Sequence, residues 1–383
     1  MITRLAVAGY RSLRNVVLEL GQLTLITGGN GSGKSSVYRS LRLLSEAAQG
    51  RLISTLADEG GLLSALWAGP EAFSKAMLKG NTPITGTVRS TPYSVKLGFS
   101  GEDFGYAIDL GRPEPLFPFQ RDPEIKVEAM WTGEILGRPN LFAERREKAV
   151  SLRRSDTGEW RDALTNLLPF DSMVTHCADP ADGLELLLMR DRMRNWRFYD
   201  NLRTDADAPA RRPHVMTYTP VLSNSGADLA AAIATILVIG KGEAFAGAIE
   251  DAFPGSRISV EGDEYGVVTM HQQGLIRPLQ AKELSDGTLR YLLLLTALLS
   301  PRPPEIMILN EPEASLHPSL LEPLARILID ASRRSQIVLV SHSDRLIAGL
   351  RKAPCLHEIA LSKILGETHV EQQDVPHWIW PKR

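Results

Sequence analysis

Apolar and polar positions fall into three stretches with different rhythms. Ile2 to Ala8 alternates apolar and polar, the period of a half-buried strand. Val16 to Leu20 and Leu23 to Thr27 predict two further strands separated by Gly21, and a glycine-rich loop follows from Gly28 to Gly33. From Ser35 to Ala48 the spacing turns helical, with Val37, Leu41 and Leu44 on one face. In the middle, Thr85–Ser90, Tyr93–Phe99 and Phe104–Leu110 predict short strands joined by Pro or Gly turns, an antiparallel hairpin sheet. A Pro-rich stretch from Arg112 to Pro118 precedes a strand at Glu124–Trp131, a charged helix at Leu184–Tyr199, a polar loop at Asp205–Pro213 and an apolar helix at Asp228–Ile239. In the last third, helices at Asp286–Leu299 and Leu320–Ser332 alternate with continuously apolar strands at Ile306–Leu309 and Ile337–Val340. Strands of that kind, separated by helices, indicate a parallel sheet covered on both faces.

The expected class is therefore α/β, with a mostly parallel core sheet, an antiparallel β subdomain and an inserted helical lobe. Residues 1–80 and 256–383 are expected to build the two halves of the core, and 81–255 the antiparallel segment and the lobe. A chain of 383 residues accommodates this. No heptad pattern runs long enough for a coiled-coil arm.

Composition changes the picture little. Hydrophobic residues make up 43% and charged residues 23%, with a formal net charge of −2. This argues against a wholesale basic surface for nucleic acid, though not against a local patch. Cys177 and Cys355 form no CxxC pair, so a reducing compartment is the default. No stretch approaches the roughly 20 apolar residues of a membrane span. A cytoplasmic protein without a membrane partner is expected.

The chemistry begins at Gly28-Gly29-Asn30-Gly31-Ser32-Gly33-Lys34-Ser35, a full match to GxxxxGK[ST] between a predicted strand and a predicted helix. Glycines let the backbone curl so that the N–H groups of Asn30 to Gly33 point at phosphate oxygens, and the helix N-terminus adds the positive end of its dipole. Lys34 is placed to reach the β- and γ-phosphates. Ser35 is placed to hold Mg²⁺, with Ser36 beside it. ATP and Mg²⁺ are the expected ligands. The hydrophobic strand Ile306-Met307-Ile308-Leu309-Asn310-Glu311, ending in an acidic residue, has the Walker B arrangement, with Glu311 polarising the attacking water. Asn310 stands where an Asp usually supports Mg²⁺ through water. It can accept a hydrogen bond but brings no charge, which predicts weaker Mg²⁺ support or slower turnover. Leu284-Ser285-Asp286-Gly287-Thr288 reads alone as a helix N-cap. In order with the other two motifs it reads as an ABC signature, presenting Ser285 and the Gly287 amide to the γ-phosphate of ATP on a second subunit. His342, after the strand Val338-Leu339-Val340, occupies the switch position, where it can contact the γ-phosphate.

With Tyr10-Arg11-Ser12-Leu13 after the first strand, GGNGSGKSS, LSDGTLRY, and LNEPEASLHP followed by SHS, the chain resembles the RecF- and SMC-like branch of ABC ATPases. These soluble proteins act in DNA repair, chromosome maintenance and antiphage defence. Among them it is most similar to stand-alone bacterial ATPases of comparable length, in which Asn before the catalytic Glu is usual. Trp196-Arg197-Phe198-Tyr199 and Arg203-Thr204-Asp205-Ala206-Asp207 extend the likeness through the middle. The resemblance implies an ABC-ATPase head, ATP hydrolysis, and a homodimer closed by ATP with Ala314-Ser315-Leu316-His317 as the D-loop. It departs from SMC proteins in lacking long coiled coils, and the 41 residues after His342 are too few for a Toprim domain. For the Q-loop ligand of Mg²⁺, Gln120 lies in the right interval before a strand, and Glu128 is the alternative.

Seven arginines lie between Arg190 and Arg212, beside Trp196, Phe198 and Tyr199. Such a set could contact phosphates and stack bases, but interleaved aspartates dilute its charge. A solvated helix whose aromatics pack inward is the favoured reading. DNA or a separate effector protein are the candidate partners. An ATP-sensing scaffold with slow hydrolysis is the rival to a turning-over ATPase.

Overall fold

The computed structural model describes residues 1–86, 90–115, 118–371 and 375–383. The expected strand at Thr85–Ser90 falls largely on 87–89, outside the described residues. The chain divides into two compact units. The first comprises Met1–Leu20, Gly28–Arg194 and Ile359–Arg383, the second Gly21–Thr27 and Asn195–Glu358.

In the first unit, eight strands form an antiparallel sheet in the order Leu13–Glu19, Ile2–Tyr10, Val95–Gly101, Phe104–Gly111, Glu124–Thr132, Leu141–Arg146, Ala149–Arg153 and Trp160–Leu164. The opening strand pairs with its neighbour on one side and with Val95–Gly101 on the other, Val7 standing opposite both Val16 and Leu97. The opening strands thus join the hairpin strands of the middle, not a sheet shared with the C-terminal segment. The alternation that marked Ile2–Tyr10 as half-buried suits this antiparallel setting. The helix Lys34–Ala47 buries Val37, Leu41 and Leu44, and Ser45 Oγ donates to Met193 O (2.8 Å) to tie it to the helix Leu184–Arg194. Each of those leucines, fully buried, contributes about 1.5–3 kcal/mol relative to exposure. Inside the sheet, Glu128 and Arg145 form an ion pair (3.3 Å) with both side chains fully buried. After Leu356–Ile364 the chain reverses at Leu365 and Gly366, both at positive φ, into Glu367–Val370. Two positive-φ residues are what a two-residue hairpin turn requires.

In the second unit, parallel strands stand in the order Arg197–Tyr199, Ile306–Asn310, Gln336–Val340 and Leu23–Gly28. Phe198 faces Ile308 in register, Ile308 faces Val338, and Val338 faces Thr24. These strands are apolar without alternation because helices supply the second face. The central helix, Asp286–Leu298, is buried at every residue from Leu289 to Leu298. A separate antiparallel ladder joins Ser256–Glu261 to Tyr265–Gln272.

One predicted element is corrected here. The helix expected over Leu184–Tyr199 ends at Arg194, and Arg197–Tyr199 is an edge strand. Aromatic side chains favour extended backbone. Burial of Trp196, Phe198 and Tyr199, with the Tyr199 hydroxyl donating to Leu222 O (2.9 Å), overrides the helical spacing. Among the described residues no single helix is long and apolar enough to cross a membrane.

Candidate functional site

In the first unit, the phosphate loop runs from Gly28 into the helix that starts at Lys34 with Gly33 as N-cap. Gly33 has φ 110° and no side-chain cap; its carbonyl accepts from Ser36 N–H (2.9 Å) and Val37 N–H (3.0 Å), the start of the helical ladder. Side chains are excluded at two loop positions. A Cβ on Gly28 would strike Leu361 O, and one on Gly33 would strike the Thr368 hydroxyl. The Leu356–Ile364/Glu367–Val370 hairpin thus moulds the loop. Thr368 Oγ1 donates to Ser32 O (2.7 Å) and lies within hydrogen-bond distance of the Ser12 hydroxyl (2.8 Å), and Thr368 N–H donates to Ser12 O (2.9 Å). Ser12 belongs to the Tyr10-Arg11-Ser12-Leu13 segment.

Lys34 is buried, and its ammonium donates to the carbonyls of Gly28 (2.6 Å) and Gly29 (3.0 Å). Two of its three N–H donors are thereby used, leaving one for a ligand. Gly29, Asn30, Gly31 and Ser35 are exposed along the loop, while Ser36 is buried. The buried Ser32 Oγ has no hydrogen-bond partner among the described residues. Glycine curl, helix N-terminus, inward cation and spare hydroxyl suit a polyphosphate.

In the second unit, Asn310 closes the strand Ile306–Asn310, and its Oδ1 is buried with no partner among the described residues. An orphaned neutral acceptor at this position suits a water of a hydrated cation better than direct charge pairing. Glu311 has φ +47°, a left-handed conformation that costs a non-glycine residue about 1–2 kcal/mol. Its surroundings enforce it. Glu311 N–H donates to Val340 O (2.8 Å), and the buried Arg290 donates to the carbonyls of Glu311 (3.2 Å), Pro312 (3.4 Å) and Leu202 (3.2 Å). Burial lowers the pKa of Arg290 despite the nearby Glu313, Asp200 and Glu311. The left-handed turn leaves the Glu311 carboxylate partly exposed, with His342 Nδ1 3.4 Å from its Oε1. The same nitrogen lies 3.6 Å from Glu313 Oε1. Glu313 is buried and holds the switch segment, accepting from Ser341 Oγ (2.6 Å) and His342 N–H (3.1 Å). Its other oxygen is buried without a partner among the described residues.

The Leu284–Thr288 segment is built in the same unit. Ser285 caps Asp286–Leu298, accepting from Thr288 N–H (3.2 Å). A Cβ on Gly287 would lie 2.8 Å from Ser315 O, so glycine lets this helix end approach the segment Ala314-Ser315-Leu316-His317. Ser315 is itself at φ +65°. Arg211 anchors the segment from below, donating to Ala281 O and Leu284 O (2.8 Å each) and to Asp286 Oδ1 (2.7 Å).

Sequence reasoning singled out Asn310, Glu311, His342, Ser285 and Gly287, and these lie in one unit with Glu313, Arg290 and Arg211, which it missed. The signal for Glu313 was its place two residues after Glu311. Nothing local marks Arg211, Arg290 or Thr368, since their partners are distant in sequence. Gln120 lies in the connection before Glu124–Thr132, its amide donating to Glu114 O (2.8 Å) and Pro115 O (3.4 Å). Glu128, the alternative, is sealed inside the sheet with both oxygens occupied, so it cannot reach a ligand. The arginine-rich stretch offers no stacking platform. Trp196, Phe198 and Tyr199 are buried, and Arg203 and Arg212 pair with Asp205 and Asp207.

Two family models match the sequence. One, described as "AAA domain, putative AbiEii toxin, Type IV TA system", covers residues 161–348, and another, described as "AAA domain", covers residues 4–45. No curated protein matches the chain by sequence. The fold is similar to an SMC head solved with the C-terminal winged-helix domain of ScpA, at 15% identity, over 96% of this chain and 97% of that one, with a TM-score of 0.51. It is also similar to an SMC head with an extended coiled coil, bound to the C-terminal domain of ScpA and derived from Pyrococcus furiosus. Identity there is 14%, over 96% and 95% of the two chains, with a TM-score of 0.53. Identities this low speak to the fold alone. Fold and loop define a P-loop protein with an SMC-head architecture. The two AAA-domain models match at the two ends of the motif series, one over the glycine-rich loop and the other over the segment that runs from the Leu284–Thr288 motif to His342.

Proposed function

We propose that the protein binds and hydrolyses ATP and closes into a homodimer around two nucleotides. The observation that carries this reading is the second unit's strand end. A strained Glu311, its carbonyl held by Arg290, faces the switch His342 (3.4 Å), and backbone strain of this kind clusters at functional sites. Support also comes from the curled loop with Lys34 turned inward. In this reading Asn30 to Ser36 hold the phosphates through backbone amides and hydroxyls, with Lys34 on the β- and γ-phosphates. Mg²⁺ would be held by Ser35, with Asn310 through water and Gln120 as the Q-loop candidate, and would offset the charge that builds on the phosphoryl oxygens. Glu311 orients a water and takes its proton as the water oxygen bonds to the γ-phosphorus and the bond to the β-phosphate oxygen breaks. His342 contacts the γ-phosphate and registers its departure. Ser285 and the Gly287 amide, at a helix N-terminus, meet the γ-phosphate held by the partner subunit. The neutral Asn310 supports a second reading, an ATP-sensing scaffold that hydrolyses slowly and governs an effector. A cytoplasmic role in DNA maintenance or antiphage defence fits either.

The test is light scattering with Mg-ATP. Glu311→Gln keeps the shape but cannot act as base, so it should accumulate as a dimer. Adding Ser285→Arg should block closure while ATP binding persists. A Glu311→Gln protein that stays monomeric at high protein and ATP concentration refutes the mechanism.

A further inference from the structure

The phosphate loop is bordered by a second lysine that none of the motifs includes. Lys363 lies on the hairpin that moulds the loop, directly opposite Thr368 in the strand register. Directly opposed residues in an antiparallel pair project to the same face. Thr368 turns its hydroxyl into the loop, onto Ser32 O and Ser12 Oγ, so Lys363 rises on the loop side as well. Its ammonium lies 3.9 Å from where a Gly31 Cβ would stand. The hairpin cannot drift away from this position, because Leu361 O abuts Gly28 and Thr368 abuts Gly33 on either side.

The ammonium is exposed and has no ion-pair partner among the described residues. The nearest acidic residue along the hairpin, Glu367, is engaged by Arg14 (3.2 Å). Lys34, by contrast, is folded beneath the loop onto the carbonyls of Gly28 and Gly29. The loop therefore has one buried cation below it and one solvent-facing cation at its exposed apex, where Gly29, Asn30 and Gly31 leave the backbone uncovered.

We propose that Lys363 is a second nucleotide-binding cation, contacting the polyphosphate of the ligand held by the loop. The proposal rests on the reading of Gly28–Ser35 as a nucleotide site. A lysine suits the position because its four-carbon stem can follow a charged ligand without a fixed fork geometry. Because the group is exposed and unpaired, its loss leaves the fold intact.

Calorimetric titration of ATP into the wild type, Lys363→Gln, Lys363→Arg and Lys34→Ala tests this, alongside thermal melting without nucleotide. Lys363→Gln should weaken ATP binding about three- to tenfold, the scale of one charge-assisted contact near solvent. Lys363→Arg should recover most of the loss, and the nucleotide-free melting temperature should stay at the wild-type value in both. Lys34→Ala should lose more than tenfold. If Lys363→Gln binds ATP as the wild type does while Lys34→Ala does not, the proposal is overturned and the loop reading stands. If Lys363→Arg binds as poorly as Lys363→Gln, charge is not the cause and the proposal falls. If the wild type itself does not bind ATP, the loop reading fails first.

Discussion

Glu128 in the first unit and Glu313 in the second are both buried carboxylates, yet their surroundings have little in common. Glu128 accepts from the Tyr106 hydroxyl (2.6 Å), the Ser172 hydroxyl, Met173 N–H (2.8 Å) and Arg145 (3.3 Å). Arg145 goes on to the carbonyls of Glu147 (2.9 Å), Leu168 (2.8 Å) and Asp171. Burial, and then the Glu128 charge, push the Tyr106 hydroxyl pKa well above its usual range, so it remains a donor. Every group in this network is spoken for. Glu313 has one oxygen holding Ser341 and His342 and the other without a partner among the described residues, and it lies two residues from Glu311 and from Ser315, both at positive φ. A closed network rigidifies, whereas an open one keeps capacity for a ligand or a changing state. Satisfaction, more than burial, separates the structural acid from the acid at the site.

The comparison can be broken most severely at Glu128. Glu128→Ala leaves Arg145 buried without its counter-charge and should cost about 3–5 kcal/mol, read from the shift in denaturant midpoint. A cost below about 1 kcal/mol would mean the network contributes little and the contrast has no energetic basis. Next comes Glu313→Gln, which keeps the shape and one acceptor. Folding stability should change by less than about 1 kcal/mol while ATP turnover falls about tenfold, because the switch segment loses the charge that faces His342. A stability loss rivalling that of Glu128→Ala, with turnover intact, would make Glu313 another structural acid. The smallest effect belongs to Asn310→Asp. It should lower the Mg²⁺ needed for half-maximal turnover about threefold, or roughly 0.6 kcal/mol, as expected for a screened charge acting through water. Equal or lower activity at limiting Mg²⁺ would show that Asn310 already suits its role.

These contrasts also mark how far the sequence could be read. The strand, loop and helix around Lys34 were legible because motif, periodicity and punctuation coincide over some thirty residues. The strands at Ile306–Asn310 and Gln336–Val340 were legible because full burial leaves an unbroken apolar run. The end of the helix at Arg194 was not, because what turns Arg197–Tyr199 into a strand is an exposed edge on Ile306–Asn310, more than a hundred residues away. Which sheet would receive Ile2–Tyr10 was likewise hidden, since alternation reports a half-buried strand without naming its neighbour. The neighbouring residues of Glu128 and Glu313 do not say which partners each meets. Only the arrival of Arg145 at one and of Ser341 and His342 at the other distinguishes them.

The hairpin seated against the phosphate loop also sets an order of events during synthesis. Ser32 O receives the Thr368 hydroxyl across 336 residues, and Gly28 and Gly33 are shaped by the same late segment. Contacts at such separation form slowly, after the intervening chain has found its own partners. A ribosome that has just translated Lys34 has made the motif but not its mould, and some three hundred further residues must emerge before the loop acquires its final curvature. The motif is thus made long before its support, and the loop reaches its final curvature only once the Leu356–Ile364/Glu367–Val370 hairpin has been synthesised and has folded back onto it.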